Sequence, residues 1–436
     1  MQQQQINTAL VWFRNNLRVN DNISLKKAVD ENQHVIAVYF FDPKYFEKDN
    51  FGFKKTEKFR AKFLIETITN LKQNLANLNI TLLTYFDAPE NKISELCDDL
   101  SVDKIYTQKE WTREEVKTNH FIKKSLNETI DFIEDYDQFL YHPETVSKDF
   151  HNIPDIFTAF RKKLEKYVTI SEIVSVSKLT KDNLVQNHTE IPTLQKLGFD
   201  DFDITIKTAF PFKGGETAAL ERMNYYFFES KKVSYYKKTR NGLVGNDYST
   251  KFSPWLANGS ISAKTIYWNV KNYEQEFGKN QSTYWVIFEL IWRDYFKYIS
   301  LKYDAKIFKI GGILDRDYEY KADKKNIQKW INGDTKDDFV NANMIELKET
   351  GWMSNRGRQN VASYFAKELL LDWRIGAAYF ESVLLDYDVH SNYGNWMYVA
   401  GVGNDPRDRK FNTQLQAERY DSSHKFRKLW LEKTLF

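Results

Sequence analysis

The sequence predicts a two-part fold: an N-terminal α/β domain on a doubly wound, five-stranded parallel sheet, followed by an all-α C-terminal half. Two patterns carry this. Over residues 1–136 short apolar runs alternate with helix-like stretches, the order that gives a parallel sheet with helices on both faces. From residue 214 onward apolar residues recur at three- and four-residue spacing and strand patterns vanish.

The predicted strands are TALVWF (8–13), HVIAVYFF (34–41), NITLLTYF (79–86), DKIYT (103–107) and TIDFIED (129–135). Helices are expected around 24–32, 56–77 and 89–100, with a charged helix before the last strand. No GxGxxG follows the first strand, which argues against the usual dinucleotide site there. Residues 137–210 read as a connector: LYHPETVSKDFHNIPDIF holds two prolines and several turn formers, a helix follows at 155–167, then a Thr/Ser-rich stretch. Over 211–436 the predicted helices include GGETAALERMNYYFF, YWVIFELIWRDYFKYISLKY, NANMIELKETG, RGRQNVASYFAKELLLDW and GAAYFESVLLDYD. There is no internal repeat, and the one low-complexity tract is the Gln run at 2–5.

The 436 residues allow two domains, and 42% hydrophobic residues supply a sizeable core. Aromatics reach 16%, with 11 Trp, 26 Tyr and 32 Phe; core packing accounts for most, and a stacked ligand or nucleic acid for the excess. Net charge is +3 from 63 basic and 60 acidic side chains, which argues against a polycation coating DNA but permits a local basic patch. The single cysteine, Cys97, excludes an intrachain disulfide and a multi-cysteine metal site, and fits a reducing cytoplasm. The opening MQQQQINTALVWF does not read as a signal peptide, and no run approaches the ~18 apolar residues of a membrane span. The expectation is a monomeric cytoplasmic chain away from membranes. Without HExxH, a Gly-x-Ser-x-Gly elbow or a P-loop, a metalloprotease, hydrolase or NTPase has no support, and no metal is expected.

Four segments carry candidate chemistry. Residues 372–412 mix Trp373, Tyr379, Phe380, Tyr387, Tyr393, Trp396 and Tyr398 with Asp386, Asp388, Asn392, Asn395 and four glycines. A plain helical core would avoid glycine, which costs helix stability; this mixture suits a wall around a large, flat, polar-edged aromatic ligand. In YYKKTRNGLVGNDYSTKFSPWLANGSIS (235–262) the hydroxyls of Ser249, Thr250 and Ser253 either cap a helix starting near Pro254 or hold a phosphate. In FELIWRDYFKY (288–298) Glu289, Trp292, Arg293 and Phe296 share one helical face, as an i,i+4 salt bridge Glu289–Arg293 or as a site on an internal helix. In GWMSNRGRQ (351–359) the two arginines mark a solvated helix start or an anion clamp, with Asp386 and Asp388 as partners for Arg358. His390 reads as a structural histidine.

Together with FRNNLRVNDN (13–22), the segments TRNGLVGNDYSTKFSPWL, ELIWRDYF, NANMIELKETGWMSNRGRQ and SNYGNWMYVAGVGNDPRDRKFN resemble the photolyase/cryptochrome flavoproteins, and most closely the DASH cryptochrome branch, over nearly the whole chain. The resemblance implies FAD in a U-shaped conformation inside the helical half. Tyr236, Ser249, Thr250, Lys251, Phe252 and Ser253 would hold its diphosphate region, and Arg293 and Trp352 would line the pocket. Arg358 would pair with Asp386 beside the isoalloxazine, Asp388 would meet its polar edge, and Asn392 would face N5. Glu289, Trp292, Asn355, Gln359 and Tyr398 would face the substrate. Trp396 and Trp373 match the first two members of the electron-transfer chain, and Tyr320 stands where the family has a third tryptophan. A second departure is Lys336, Asp337 and Asp338, where the family has Gly-Tyr-Pro. Glu110 stands where a carboxylate would contact an antenna folate, 5,10-methenyltetrahydrofolate; its other reading is an ordinary first-turn acid.

The implied activity is blue-light repair of cyclobutane pyrimidine dimers, mainly in single-stranded DNA, that is, a deoxyribodipyrimidine photolyase. Arg240, Lys251, Arg356 and Arg407 are the expected DNA contacts. The alternative is a blue-light photoreceptor without repair activity, although no long tail follows Phe436 of the kind many signalling cryptochromes carry.

Overall fold

The computed structural model describes residues 7–405 and 407–432; the Gln run at 2–5 lies outside them. Strands β1 (Thr8–Phe13), β2 (His34–Phe40), β3 (Leu82–Tyr85), β4 (Lys104–Gln108) and β5 (Asp131–Asp135) form one parallel sheet in the order β3-β2-β1-β4-β5. Helices α1 (Ile23–Glu31), α2 (Lys58–Asn77), α3 (Pro89–Asp99) and α4 (Arg113–Ser125) supply the crossovers. The central β1 is buried along its whole length, which is why it reads as a continuous apolar run rather than an alternating one. β3 starts later than the sequence predicts because Asn79 sits at φ +59°, a turn conformation that no strand residue can hold.

The stretch read as a connector folds back on the sheet. Asn183 donates to Val35 O and Asn79 O at 3.0 and 2.8 Å, Thr189 Oγ1 accepts from Thr84 N at 2.9 Å, and Leu194 and Leu197 join the core beneath β1 and β2. The edge of β3 is thereby covered, as an exposed strand edge requires.

Residues 13–22 clasp the two halves together. Buried Arg18 donates to Asp21 O and Gly259 O and pairs with Asp137 at 2.9 Å. Glu216, from the helical half, accepts from the backbone N–H groups of Val19 and Asn20 at 3.0 and 2.9 Å. Gly259, at φ +72°, lets its backbone meet the Asn15 carbonyl, where a Cβ would overlap that oxygen.

Beyond residue 211 the regular elements among the described residues are all helical, apart from the isolated bridge Lys321–Leu371. The long helix Gln281–Tyr303 is opened by an Asn280 capping box. RGRQNVASYFAKELLLDW is not one helix. Helix Asn355–Ser363 widens into a π-type turn at Tyr364–Glu368, stops at Leu370 (φ +53°), and a new helix, Trp373–Val383, starts under an Asp372 cap. Apolar spacing alone misses this break because the wide turn keeps the same face inward. Where the family has Gly-Tyr-Pro, Asp337 caps helix Asp338–Thr350 by accepting from Val340 N at 2.9 Å, so the departure keeps a helix start. None of the described helices is long and apolar enough to cross a membrane.

Candidate functional site

Helix Asn355–Ser363 splits its two arginines. Arg358 pairs with Asp386 at 2.9 Å, while its Nε donates to Met353 O. The second Asp386 oxygen is buried without a partner. Trp352 sits beside the Arg358 guanidinium at 5.7 Å, stacks on Phe210, and donates through Nε1 to the Tyr248 hydroxyl at 3.1 Å. Lys251, at φ +65°, is buried, with its ammonium over the Tyr248 ring at 3.4 Å and the Trp352 ring at 4.5 Å and no hydrogen-bond acceptor. Glu346 lies nearby, also with an unpartnered oxygen; burial pushes its carboxyl up to about 8 against the pull of Lys251 and Arg358.

A second layer comes from the long helix. Arg293 does not pair with Glu289. Its guanidinium donates to the backbone carbonyls of Gln138 and, at 3.1 Å, Leu256. One turn on, buried Lys297 pairs with Asp388 at 2.8 Å, and the other Asp388 oxygen accepts from Ser391 N at 2.8 Å to cap helix Val389–Ala400. Burial disfavours the Asp388 charge, but Lys297 and Arg293 more than offset it and hold the carboxyl well below its usual range. Both Asp388 oxygens thus have partners in the protein. His390 is kept neutral by burial; it bonds Ser300 Oγ at 2.7 Å and stacks on Trp111 at 4.4 Å, as a structural histidine does. Asn392 donates its Nδ2 to Ala377 O at 2.9 Å, which leaves Oδ1 as the outward acceptor.

The capping reading of the serine–threonine cluster fails. Helix Ser253–Ala257 has Phe252 at its cap position and no side-chain cap bond. The Ser249 and Thr250 carbonyls instead accept from Arg222, and the Ser249, Thr250 and Ser253 hydroxyls make no hydrogen bond among the described residues. Tyr236, Phe252 and Trp352 are buried beside this segment. Free hydroxyls, a lone buried ammonium, an unpaired carboxylate oxygen and an outward carboxamide oxygen fit a ligand with a diphosphate and a flat, polar-edged ring, as FAD has.

The model of the FAD binding domain of DNA photolyase matches residues 285–434, and that of DNA photolyase matches 9–178. Cryptochrome DASH of Synechocystis sp. is 42% identical over 430 residues, spanning 97% of this chain and 87% of that one. This chain belongs to the photolyase/cryptochrome family, in its DASH cryptochrome branch. The crystal structure of the Synechocystis sp. PCC6803 cryptochrome superposes with a TM-score of 0.93 at 40% identity, covering 98% of this chain and 89% of that one. An archaeal photolyase from Sulfolobus tokodaii, described with two FAD molecules, superposes at 0.78 with 26% identity over 98% of this chain and 90% of that one.

The residues expected to face a substrate form a charged rim beside aromatic residues. Glu289 meets Arg240 at 2.8 Å, a charge contact without hydrogen-bond alignment, and burial raises the Glu289 carboxyl against Arg240. Arg356 donates to Gln359 Oε1 at 2.9 Å and Asn241 Oδ1 at 3.4 Å. Asn355 and Arg407 are exposed. Trp292 lies flat on Phe157, with ring centres 3.6 Å apart, and meets Tyr398 edge-on at 6.1 Å. Lys251 is not part of this rim: buried against two rings, it cannot reach a DNA phosphate.

Trp396 is fully buried with its indole N–H unpartnered, against Phe380, Phe365 and Trp330. Trp373 donates to Ile310 O at 2.9 Å. Tyr320 is 48% exposed, and its ring neighbour is Tyr318 at 6.5 Å. Glu110 is buried at the end of β4, raised by desolvation, and accepts from Gln108 at 2.7 Å, so it is no solvated first-turn acid.

Sequence reasoning missed Glu346, Lys297, Tyr248, Trp111 and Trp330. Two left a signal. Glu346 sits on the buried stripe Phe339, Ala342, Asn343, Glu346, Thr350, and Lys297 lies four residues from Arg293 on the same face. A charge at a buried-stripe position demands a partner.

Proposed function

We propose that this chain binds FAD and repairs cyclobutane pyrimidine dimers, mainly in single-stranded DNA, as a monomeric cytoplasmic photolyase. The carrying observation is the Arg358–Asp386 pair with its unpartnered Asp386 oxygen, set among the free hydroxyls and the outward Asn392 carboxamide. When bound, FAD supplies the light absorption and the electron that splits the dimer.

The chain's own residues do the rest. Ser249, Thr250 and Ser253 donate hydroxyls to the diphosphate, with Lys251, Tyr236 and Phe252 behind them. Arg293 and Trp352 wall the pocket, Asp386 and Asp388 receive the ring edge, and Asn392 Oδ1 accepts from the N5 position. Trp292 and Tyr398 give the flipped lesion an apolar wall, and Asn355 and Gln359 give it polar contacts. Glu289, held 2.8 Å from Arg240 at the rim, faces the lesion. A lesion must leave the stack to reach such a site, and extrusion is cheapest from single strands. Arg240, Arg356 and Arg407 hold the flanking phosphates. Trp396 and Trp373 carry electrons inward for photoreduction, with Tyr320 at the family's outer position. Buried Glu110 receives an antenna folate.

The test is an absorbance spectrum of the purified protein, then light-dependent repair of damaged single-stranded and duplex oligonucleotides. Bound flavin with single-strand repair is expected. Bound flavin and photoreduction without repair would favour the photoreceptor reading. A folded, colourless protein that cannot be loaded with FAD would overturn both.

A further inference from the structure

An electron passed inward from Trp373 leaves an oxidised indole that must be refilled. Trp373 meets the ring of Tyr393 edge to face, with centres 6.2 Å apart and planes at 76°. Tyr393 is held in place by Phe308 on another side, at 4.8 Å. Tyr320, at the family's outer position, has Tyr318 as its ring neighbour at 6.5 Å.

Proton placement separates the two tyrosines further. A phenol near its usual pKa of about 10 becomes strongly acidic once oxidised, so it is an effective donor only where a base can take its proton. Glu381, on the same helix as Trp373, lies near Tyr393 and Tyr387, and its charge helps to raise both phenols. Around Glu381 lie Arg60, Lys55 and Glu114 from the α/β half, and Asp49 also faces Tyr393. Arg60 is itself anchored, donating to Leu384 O at 3.2 Å with its guanidinium 4.9 Å from the Tyr387 ring centre.

We propose that Tyr393, not Tyr320, is the terminal electron donor of this chain, reducing oxidised Trp373 while its phenolic proton passes to Glu381. The assignment rests on the light-driven reading above. One electron leaves Tyr393 and fills the vacancy on the Trp373 indole. The phenolic O–H bond breaks and a carboxylic O–H bond forms on Glu381. The oxidant is the Trp373 radical cation, created when photoexcited flavin draws an electron through Trp396. A cation and a carboxylate are replaced by a neutral indole, a neutral phenoxyl radical and a neutral acid. A low-dielectric interior favours that direction, because two partly buried charges disappear.

Protonation of Glu381 gates the step. Burial pushes its carboxyl up to about 7, with Arg60 and Lys55 pulling it down and Glu114 adding to the rise. Above that value the carboxylate accepts the proton; below it the site is already filled. The yield of long-lived tyrosyl radical therefore rises with pH through about 7.

The experiment is flash photolysis of the flavin-loaded protein, read by transient absorption and by electron paramagnetic resonance with ring-deuterated tyrosine. The wild type gives a tyrosyl radical whose yield climbs through neutral pH. Y393F loses it, leaving a short-lived tryptophanyl radical; Y320F keeps it; E381Q lowers the yield and removes the pH dependence. A tyrosyl signal that survives Y393F or disappears in Y320F overturns the assignment. No tryptophanyl radical in any variant, or one unaffected by W396F, would instead sink the light-driven reading itself, and this assignment with it.

Discussion

Replacing Gly376 by Ala tests how tightly the innermost tryptophan is fixed. A Cβ at this position in helix Trp373–Val383 would lie 2.7 and 2.8 Å from Cζ3 and Cζ2 of Trp396, and closer still to Cη2. Carbon atoms rest at about 3.5–4.0 Å, so the ring would have to retreat by roughly 1 Å. It has little room. Phe380, Phe365 and Trp330 stand 5.1, 5.8 and 6.2 Å from it, and it is 2% exposed. The alanine gains about 1 kcal/mol of helix propensity. Overpacking a filled core costs about 1–3 kcal/mol, and overlap with three atoms of a rigid ring places this case at the upper end. The expected net loss is about 2 kcal/mol, read as a lower urea midpoint at unchanged slope. On the electron path proposed above, photoreduction of the loaded protein should slow as well, because the indole is displaced. A Gly376→Ala protein that is about 1 kcal/mol more stable than wild type, with unchanged photoreduction, would show that Trp396 does not fill this gap.

Trp396→Phe keeps an aromatic in the same space but removes the easily oxidised indole; photoreduction should slow strongly with FAD retained, and chemically reduced protein should still split dimers, as a repair assay after dithionite would show. Asp388→Asn leaves the buried Lys297 ammonium without its counter-charge and should cost about 3–5 kcal/mol at pH 7 by urea denaturation. Because the folded Asp388 carboxyl lies far below its ordinary 3.8, its contribution is present above that value and is lost as pH falls through the depressed one; the gap between wild type and variant should therefore narrow in acid. Binding of a lesion-bearing single strand should weaken with salt at a log–log slope of about −0.7 per neutralised phosphate, and Arg240→Ala or Arg356→Ala should each reduce that slope; salt-insensitive binding would refute the basic rim.

The sequence by itself determined the two-part architecture, because the period of apolar residues differs between a buried parallel strand and a helix, and that period is local. It also determined the family, through long segments of unusual composition such as SNYGNWMYVAGVGNDPRDRKFN, and it named Arg358 and Asp386 as partners, which meet at 2.9 Å. Partner choice elsewhere was decided only in three dimensions. Glu289 and Arg293 share a helical face at i,i+4, the arrangement a helix alone would pair, yet Glu289 meets Arg240 and Arg293 is consumed by the Gln138 and Leu256 carbonyls. Side chains on an internal helix are claimed by whatever packs against them, and buried backbone carbonyls need donors as strongly as carboxylates do. Lys251 reads as one more basic residue beside a loop; a left-handed backbone and two aromatic faces bury it. The proposed route past Trp373 is likewise a tertiary property, since Trp373 on one helix meets Tyr393 on another, and electron transfer depends on separations of a few ångströms that sequence distance does not encode.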